Sequence, residues 1–311
     1  MFLPKGNLLK GSRGLESLES RIFGGGPILK ILSRKGLIVL LVLLVANIFS
    51  GLGYAQENSG GVEMSGEWKL VWQDEFDYVG LPDPDKWILE HKGDGFGNNE
   101  LQFYTPRKEN VWVEDGVLKI TARKEKYQGR DYTSAKLMSK GKGDFLYGRF
   151  EVRAKMPKGK GVWPAVWMLP SGSKYGIWPN SGEIDIVEFV GYDPSRIHGT
   201  VHTANYNHMI NTQKGTSVVV DGAADNFYVY SMEWSPSGIK WFVDDKLYYE
   251  FDNDEGNNPD NSSRNWPFDQ PFYLILNLAF GGDWGGAQGL DPNFTESSMI
   301  VDYVRVYSKA E

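Results

Sequence analysis

The sequence has 311 residues, 41% hydrophobic and 14% aromatic, and no cysteine, so it can bury a sizeable core but cannot form a disulfide, a thiolate metal site or a lipidated cysteine. Its formal net charge is −7. Without residues 1–55 it carries 26 basic and 38 acidic residues, a net of −12, which argues against nucleic acid or anionic lipid as a partner and suits a neutral substrate.

At the N-terminus, Arg34 and Lys35 precede an apolar run from Gly36 to Phe49, and Gly53-Tyr54-Ala55 is small-x-small. This order predicts a secretory signal peptide over residues 1–55, cleaved after about Ala55. The expected product is secreted, extracellular or periplasmic, with no stable membrane insertion after cleavage. An uncleaved anchor is the competing reading, but the run is shorter than the ~20 residues a spanning helix needs. The 33 residues before Arg34 are long for such a signal; a start codon assigned too far upstream would account for them.

Residues 56–65 are small and polar and read as a linker. Beyond them the pattern is almost all strand. Alternation runs through 67–73, then through 111–113 and 117–123 across the turn Glu114-Asp115-Gly116, and through 145–155. It returns in 227–234, 239–243 and 300–307. Turn signals at Pro157–Gly161, Ser235–Gly238 and Asp244–Asp245 punctuate these runs, and helix signals are confined to a short stretch near Asp83–Trp87. Regular short strands of this kind predict one all-β sandwich or barrel domain over 66–308.

The segment Ser181–Gly191 reads SGEIDIVEFVG. Its aliphatic residues specify a buried strand, yet Glu183, Asp185 and Glu188 place three carboxyls in it, at a cost in desolvation and mutual repulsion. Such a cost is characteristic of functional sites. Glu183 and Asp185 share a strand face; Glu188 falls on the opposite face unless one residue is inserted. A β-bulge within Ile186–Val187 is therefore predicted, since a bulge re-aims the side chains beyond it. Two convergent carboxyls suit glycoside hydrolysis, one ionised and one protonated, and neighbours on one strand face would stand about 5–5.5 Å apart, the retaining geometry. Spacing alone does not say which Glu attacks. A solvated acidic edge strand and a metal site of three carboxylates are the other readings; the four His do not cluster near the acids in sequence.

GEIDIVEFVG resembles the bulged signature of glycoside hydrolase family 16. GNNELQFYT (97–105), YGRFEVRAKMPKGKGVWPAVWMLP (147–170), GIWPNSGEID (176–185), HGTVHT (198–203), NLAFGGDWGG (277–286) and VDYVRVY (301–307) resemble the rest of the family pattern in order, nearest to its laminarinases. The resemblance implies a β-jelly-roll sandwich of two curved antiparallel sheets with a concave substrate cleft. It implies a retaining endo-β-1,3-glucanase, a monomer whose partner is a β-glucan polysaccharide. Glu183 would be the nucleophile, Glu188 the acid/base and Asp185 the assisting carboxylate. The alternatives are a mixed-linkage β-1,3-1,4-glucanase or other family polysaccharidase, and a non-catalytic glucan-recognition protein, which would lack these carboxylates.

Around the cluster, the resemblance implies that Trp163 and Trp178 line the cleft, with Trp178 at the cleavage point, as flat rings suit the C–H face of a sugar. It implies that Trp284 serves the far, non-reducing subsites and that Asn98, Asn99 and Glu100 reach sugar hydroxyls. Arg153, sharing a face with Arg149 and Glu151, is expected to contact the glycan or orient the nucleophile. His202 is expected to bond near the acid/base, and His198 to be structural. No catalytic cofactor is expected. A structural Ca²⁺ on the convex side would draw on Glu75, the Gly116 carbonyl and Asp302.

Overall fold

The computed structural model describes residues 66–253 and 262–309; the predicted signal peptide and linker lie outside the described residues. In chain order the strands are β1 (Trp68–Asp74), β2 (Ile88–Leu89), β3 (Gln102–Tyr104), β4 (Val111–Glu114), β5 (Val117–Tyr127), β6 (Arg130–Ser134), β7 (Lys136–Met138), β8 (Asp144–Phe145) and β9 (Gly148–Lys155). They continue with β10 (Val162–Pro170), β11 (Glu183–Glu188), β12 (Arg196–His202), β13 (Lys214–Val219), β14 (Tyr228–Ser235), β15 (Gly238–Val243), β16 (Lys246–Asp252), β17 (Phe272–Phe280) and β18 (Glu296–Lys309). Among the described residues the one α-helical segment, α1 (Gly282–Gly285), is a single turn, and His208–Ile210 forms a 3₁₀ turn. Among the described residues no helix is long and apolar enough to cross a membrane.

Two sheets form the expected sandwich. One has the order β16-β15-β14-β9-β18-β5-β6-β3, with β1 on β18 and β4 on β5; the other runs β13-β12-β11-β10-β17-β7-β2, with β8 on β17. Pairing is antiparallel apart from β3 with β6. The rule of alternation is visible in β9, where Phe150, Val152 and Ala154 enter the core while Arg149, Glu151 and Arg153 point out. Two hairpins turn as their residues require: Asp115 and Gly116 between β4 and β5, and Asp244 and Asp245 between β15 and β16, all have positive φ, the conformation of a two-residue type I′ turn.

β17 lies between β10 and β7 and is buried along its whole length. It therefore shows no alternation, which is why its apolar sequence carries no period-two signal. The stretch near Asp83 closes a single turn, Trp87 N–H to the Asp83 carbonyl. The core is continuous between the sheets, and Trp234 and Trp241, from the first sheet, are its largest fully buried side chains. β11 sits within the second sheet between β10 and β12, so the acidic segment is held from both sides.

Candidate active site

The predicted bulge is present. On β12, Asp185 pairs with Thr200 and Glu188 with His198, so Ile186 and Val187 together oppose Gly199. Both bury their side chains in the core, Ile186 at 1% exposure and Val187 at 0%. Two consecutive inward residues return Glu188 to the outer face that Glu183 and Asp185 occupy. The bulge is tied to the opposite sheet: the fully buried Trp241 on β15 donates its indole N–H to the Asp185 carbonyl at 2.8 Å. Gly199 makes room for this approach. A Cβ there would stand 2.7 Å from Trp241 Cδ1 and 2.6 Å from the Tyr248 hydroxyl.

Each Glu of the cluster carries one tryptophan. Trp178 Nε1 donates to Glu183 Oε2 at 2.9 Å, and Trp163 Nε1 donates to Glu188 Oε1 at 3.1 Å. His202 is the register partner of Glu183. Its Nε2 lies 3.3 Å from Asp185 Oδ2 and 3.7 Å from Glu183 Oε1. Burial, then the Asp185 charge, pushes Glu183 up to about 8, against the pull of His202 and the Trp178 N–H. Burial raises Asp185 to about 8 against its hydrogen bond with Glu183. Burial and Asp185 raise Glu188 to about 8, opposed by His202 and the Trp163 N–H. The cluster thus retains protons near neutral pH, as an acid/base pair requires.

The neighbouring residues differ in part from expectation. Trp163 and Trp178 join the site through their N–H groups. His202 stands beside Glu183 and Asp185 and also acts on Glu188 through its charge, while it is His198 that pairs in register with Glu188. Trp284 is not remote: its ring packs 5.6 Å from Trp163 and 5.0 Å from His198, on the Glu188 side. Asn99 donates to Asp283 Oδ1 at 2.9 Å, and the Asn98 carbonyl accepts from Asp283 N–H, so this loop braces the turn that carries Trp284. Glu100 is 6% exposed and accepts from Gln102 and Tyr104.

Arg153 does not reach the cleft. It projects from β9 on the outer face of the other sheet, ion-paired with Asp302 and stacked over Phe227; alternation placed its face correctly, but the sheet is the wrong one. The expected calcium ligands are likewise committed elsewhere. Glu75 accepts two 2.8 Å bonds from Arg305, and Asp302 pairs with Arg153. Gly116 lies in the β4–β5 turn, with Asp77 rather than Glu75 or Asp302 the nearest side chain to its Cβ position. Carboxylates held by guanidinium groups do not fit a cation that needs their oxygens.

Four contributors carry no signal in the acidic motif itself. Asn277 accepts from Trp167 Nε1 at 2.7 Å and donates to Tyr104, whose hydroxyl donates to Glu100, a buried relay beneath the site. Lys136, in register with Asn277, lies over Phe96 and Trp167. The His208 ring packs 5.1 Å from both Trp178 and His202, tilted against the first and edge-on to the second. Trp241 reads as an ordinary core residue. Gly199, a glycine inside a strand, was the available clue that another group approaches closely.

A sandwich that presents three carboxyls on one bulged strand, Asp185 buried and the two Glu half-buried and held by indole N–H groups, is the framework of a carboxylate-pair glycoside hydrolase. The comparisons agree. The model of glycosyl hydrolases family 16 matches residues 98–305. A β-glucanase of Rhodothermus marinus is 51% identical over 286 residues, covering 91% of this chain and 97% of that protein. A glucan endo-1,3-β-glucosidase of Cryptopygus antarcticus is 39% identical, over 78% of this chain and 93% of its own. The X-ray structure of the laminarinase from Rhodothermus marinus superposes with a TM-score of 0.77 at 56% identity, covering 79% of this chain and 99% of that one. The chain belongs to glycosyl hydrolases family 16.

Proposed function

We infer that the protein is a secreted endo-β-1,3-glucanase that cleaves with retention of configuration. The observation that carries this is the bulge, which gathers Glu183, Asp185 and Glu188 on one face and gives each Glu its own indole donor. A bulged spacing also sets the site apart from the unbulged E-x-D-x-E strand of mixed-linkage enzymes. Retention of all three carboxyls speaks against a glucan-recognition protein. The charged, apolar and small-residue order of 34–55 supports export.

The chemistry follows from the neighbours. Glu183, ionised, attacks the anomeric carbon while Glu188 gives its proton to the departing glycosidic oxygen. Glu188 then takes a proton from water as that water releases the sugar from Glu183. The Trp178 N–H, Asp185 and His202 fix the Glu183 carboxylate. The Trp163 N–H orients Glu188 and leaves its second oxygen to hold the proton.

Incubation with laminarin should release reducing sugar, first as the β-anomer by NMR. Glu183→Gln should bind laminari-oligosaccharide yet turn over at least ~10³-fold more slowly, the scale on which loss of a catalytic group is felt. Glucan binding without hydrolysis by the unaltered protein would sink the enzyme assignment, and an initial α-product would sink the retaining one. A panel of laminarin, mixed-linkage glucan, agarose, porphyran and carrageenan fixes the linkage.

A further inference from the structure

None of the four His lies within the acidic segment, but the fold brings His202 into the acidic cluster. Glu183, Asp185 and His202 each offer one ligand atom, and the three atoms all lie within 4.8 Å of one another. Two of the separations, 3.3 Å from His202 Nε2 to Asp185 Oδ2 and 3.7 Å to Glu183 Oε1, can be set against a metal polyhedron. Ligands at about 2.0–2.1 Å around a tetrahedral zinc ion stand roughly 3.3–3.4 Å apart. Two edges of such a polyhedron are therefore close to their bound length, and the third, between the two carboxylates, is no longer than 4.8 Å.

A second observation is independent of the spacing. Asp185 is 2% exposed, and its Oδ2, the atom that faces His202, has no hydrogen-bond partner. A buried acceptor without a donor is costly, and a divalent cation would satisfy it while neutralising two carboxylates. An imidazole with two carboxylates suits zinc and its first-row neighbours better than calcium or magnesium, which favour all-oxygen sets.

We propose that Glu183, Asp185 and His202 form a binding site for a zinc-class divalent cation, and that occupancy closes the enzyme by engaging the nucleophile. Metal and glucan are then mutually exclusive, so the ion acts as a reversible inhibitor competitive with substrate. His202 Nδ1, the second nitrogen of the ring, is buried without a partner. Tight zinc sites hold that nitrogen through an acceptor, whose loss typically weakens binding about 10–100-fold. The site is accordingly weaker than a structural one and fit to be emptied by a chelator.

The test uses Zn²⁺ alone on the purified protein by isothermal titration calorimetry, with thermal melts in parallel. One Zn²⁺ should bind per chain, be displaced by laminari-oligosaccharide, and raise the melting temperature. His202→Gln and the near-isosteric Glu183→Gln should each weaken binding by about tenfold or more; melts report whether either variant has unfolded. In assays of the unaltered enzyme, Zn²⁺ should raise the apparent KM for laminarin with kcat unchanged, and EDTA should reverse it. The proposal is overturned by absent binding, by binding that survives both substitutions in folded protein, or by binding indifferent to oligosaccharide. Calorimetry does not depend on hydrolysis, so failure of the glucanase assignment and failure of the metal site are separately visible.

Discussion

Replacing Trp241 with Phe tests whether the opposite sheet holds the catalytic bulge. Trp241 is fully buried, and its N–H is the donor to the Asp185 carbonyl at 2.8 Å. Phe leaves that carbonyl unsatisfied, at about 1–3 kcal/mol, and opens a small cavity where the distal, six-membered part of the indole stood, at roughly 1 kcal/mol. The sum, about 2–4 kcal/mol, lowers the melting temperature of a domain this size by roughly 4–16 °C. Trp234→Phe is the matched control. It too is fully buried and donates to a backbone carbonyl, that of Phe268 at 3.2 Å, but its ring packs on Tyr147, Phe150 and Phe272. Both variants should lose comparable stability. Assayed well below both transitions, only Trp241→Phe should lose kcat/KM, by about 10²-fold, the consequence of a ~1 Å displacement of reacting groups. Equal activity in the two variants would refute a bulge held by Trp241.

Gly199→Ala puts a methyl 2.7 Å from Trp241 Cδ1 and 2.6 Å from the Tyr248 hydroxyl; it should destabilise by about 1–3 kcal/mol in denaturant titration and reproduce the catalytic loss of Trp241→Phe. Trp163→Phe removes the donor that holds the Glu188 pKa down, so the alkaline limb of the kcat/KM profile should move to higher pH; movement to lower pH would contradict the assignment. Arg305 holds the Glu75 carboxyl below its ordinary value. That stability is present above the unfolded-state pKa and lost as pH falls through the folded one, so Glu75→Gln should flatten the acid side of the melting-temperature profile, and only slightly, because the pair is partly exposed.

The parts of the molecule legible in sequence were those governed by local rules. Alternation gave β9 and its two faces, and the dipeptides Asp115-Gly116 and Asp244-Asp245 marked hairpins because both positions demand positive φ. The bulge was legible too, since three acids in an apolar strand can share a face only if one residue is added. Long-range pairing was not. Arg153 has the right alternation but lies in the other sheet, and nothing local to VRAK reports which sheet a strand enters. Asn277, Trp241 and Lys136 reach the site from strands 89, 56 and 47 residues away from Glu188, Asp185 and Glu183 in sequence, so only the topology reveals them.

That topology also sets the surroundings of each acid. Burial is the largest influence on all three carboxyls and raises each to about 8, so burial cannot tell nucleophile from acid. Glu183 is directly opposite His202 across the β11–β12 ladder and accepts from Trp178, and both favour its charge. Glu188, one bulge further along, faces His198, whose pKa burial lowers and which therefore stays neutral. Its own indole, Trp163, is packed against Trp284. The same two influences, His202 and an indole N–H, thus favour the charged form of both glutamates, and the roles given to Glu183 and Glu188 follow the family's order of acids.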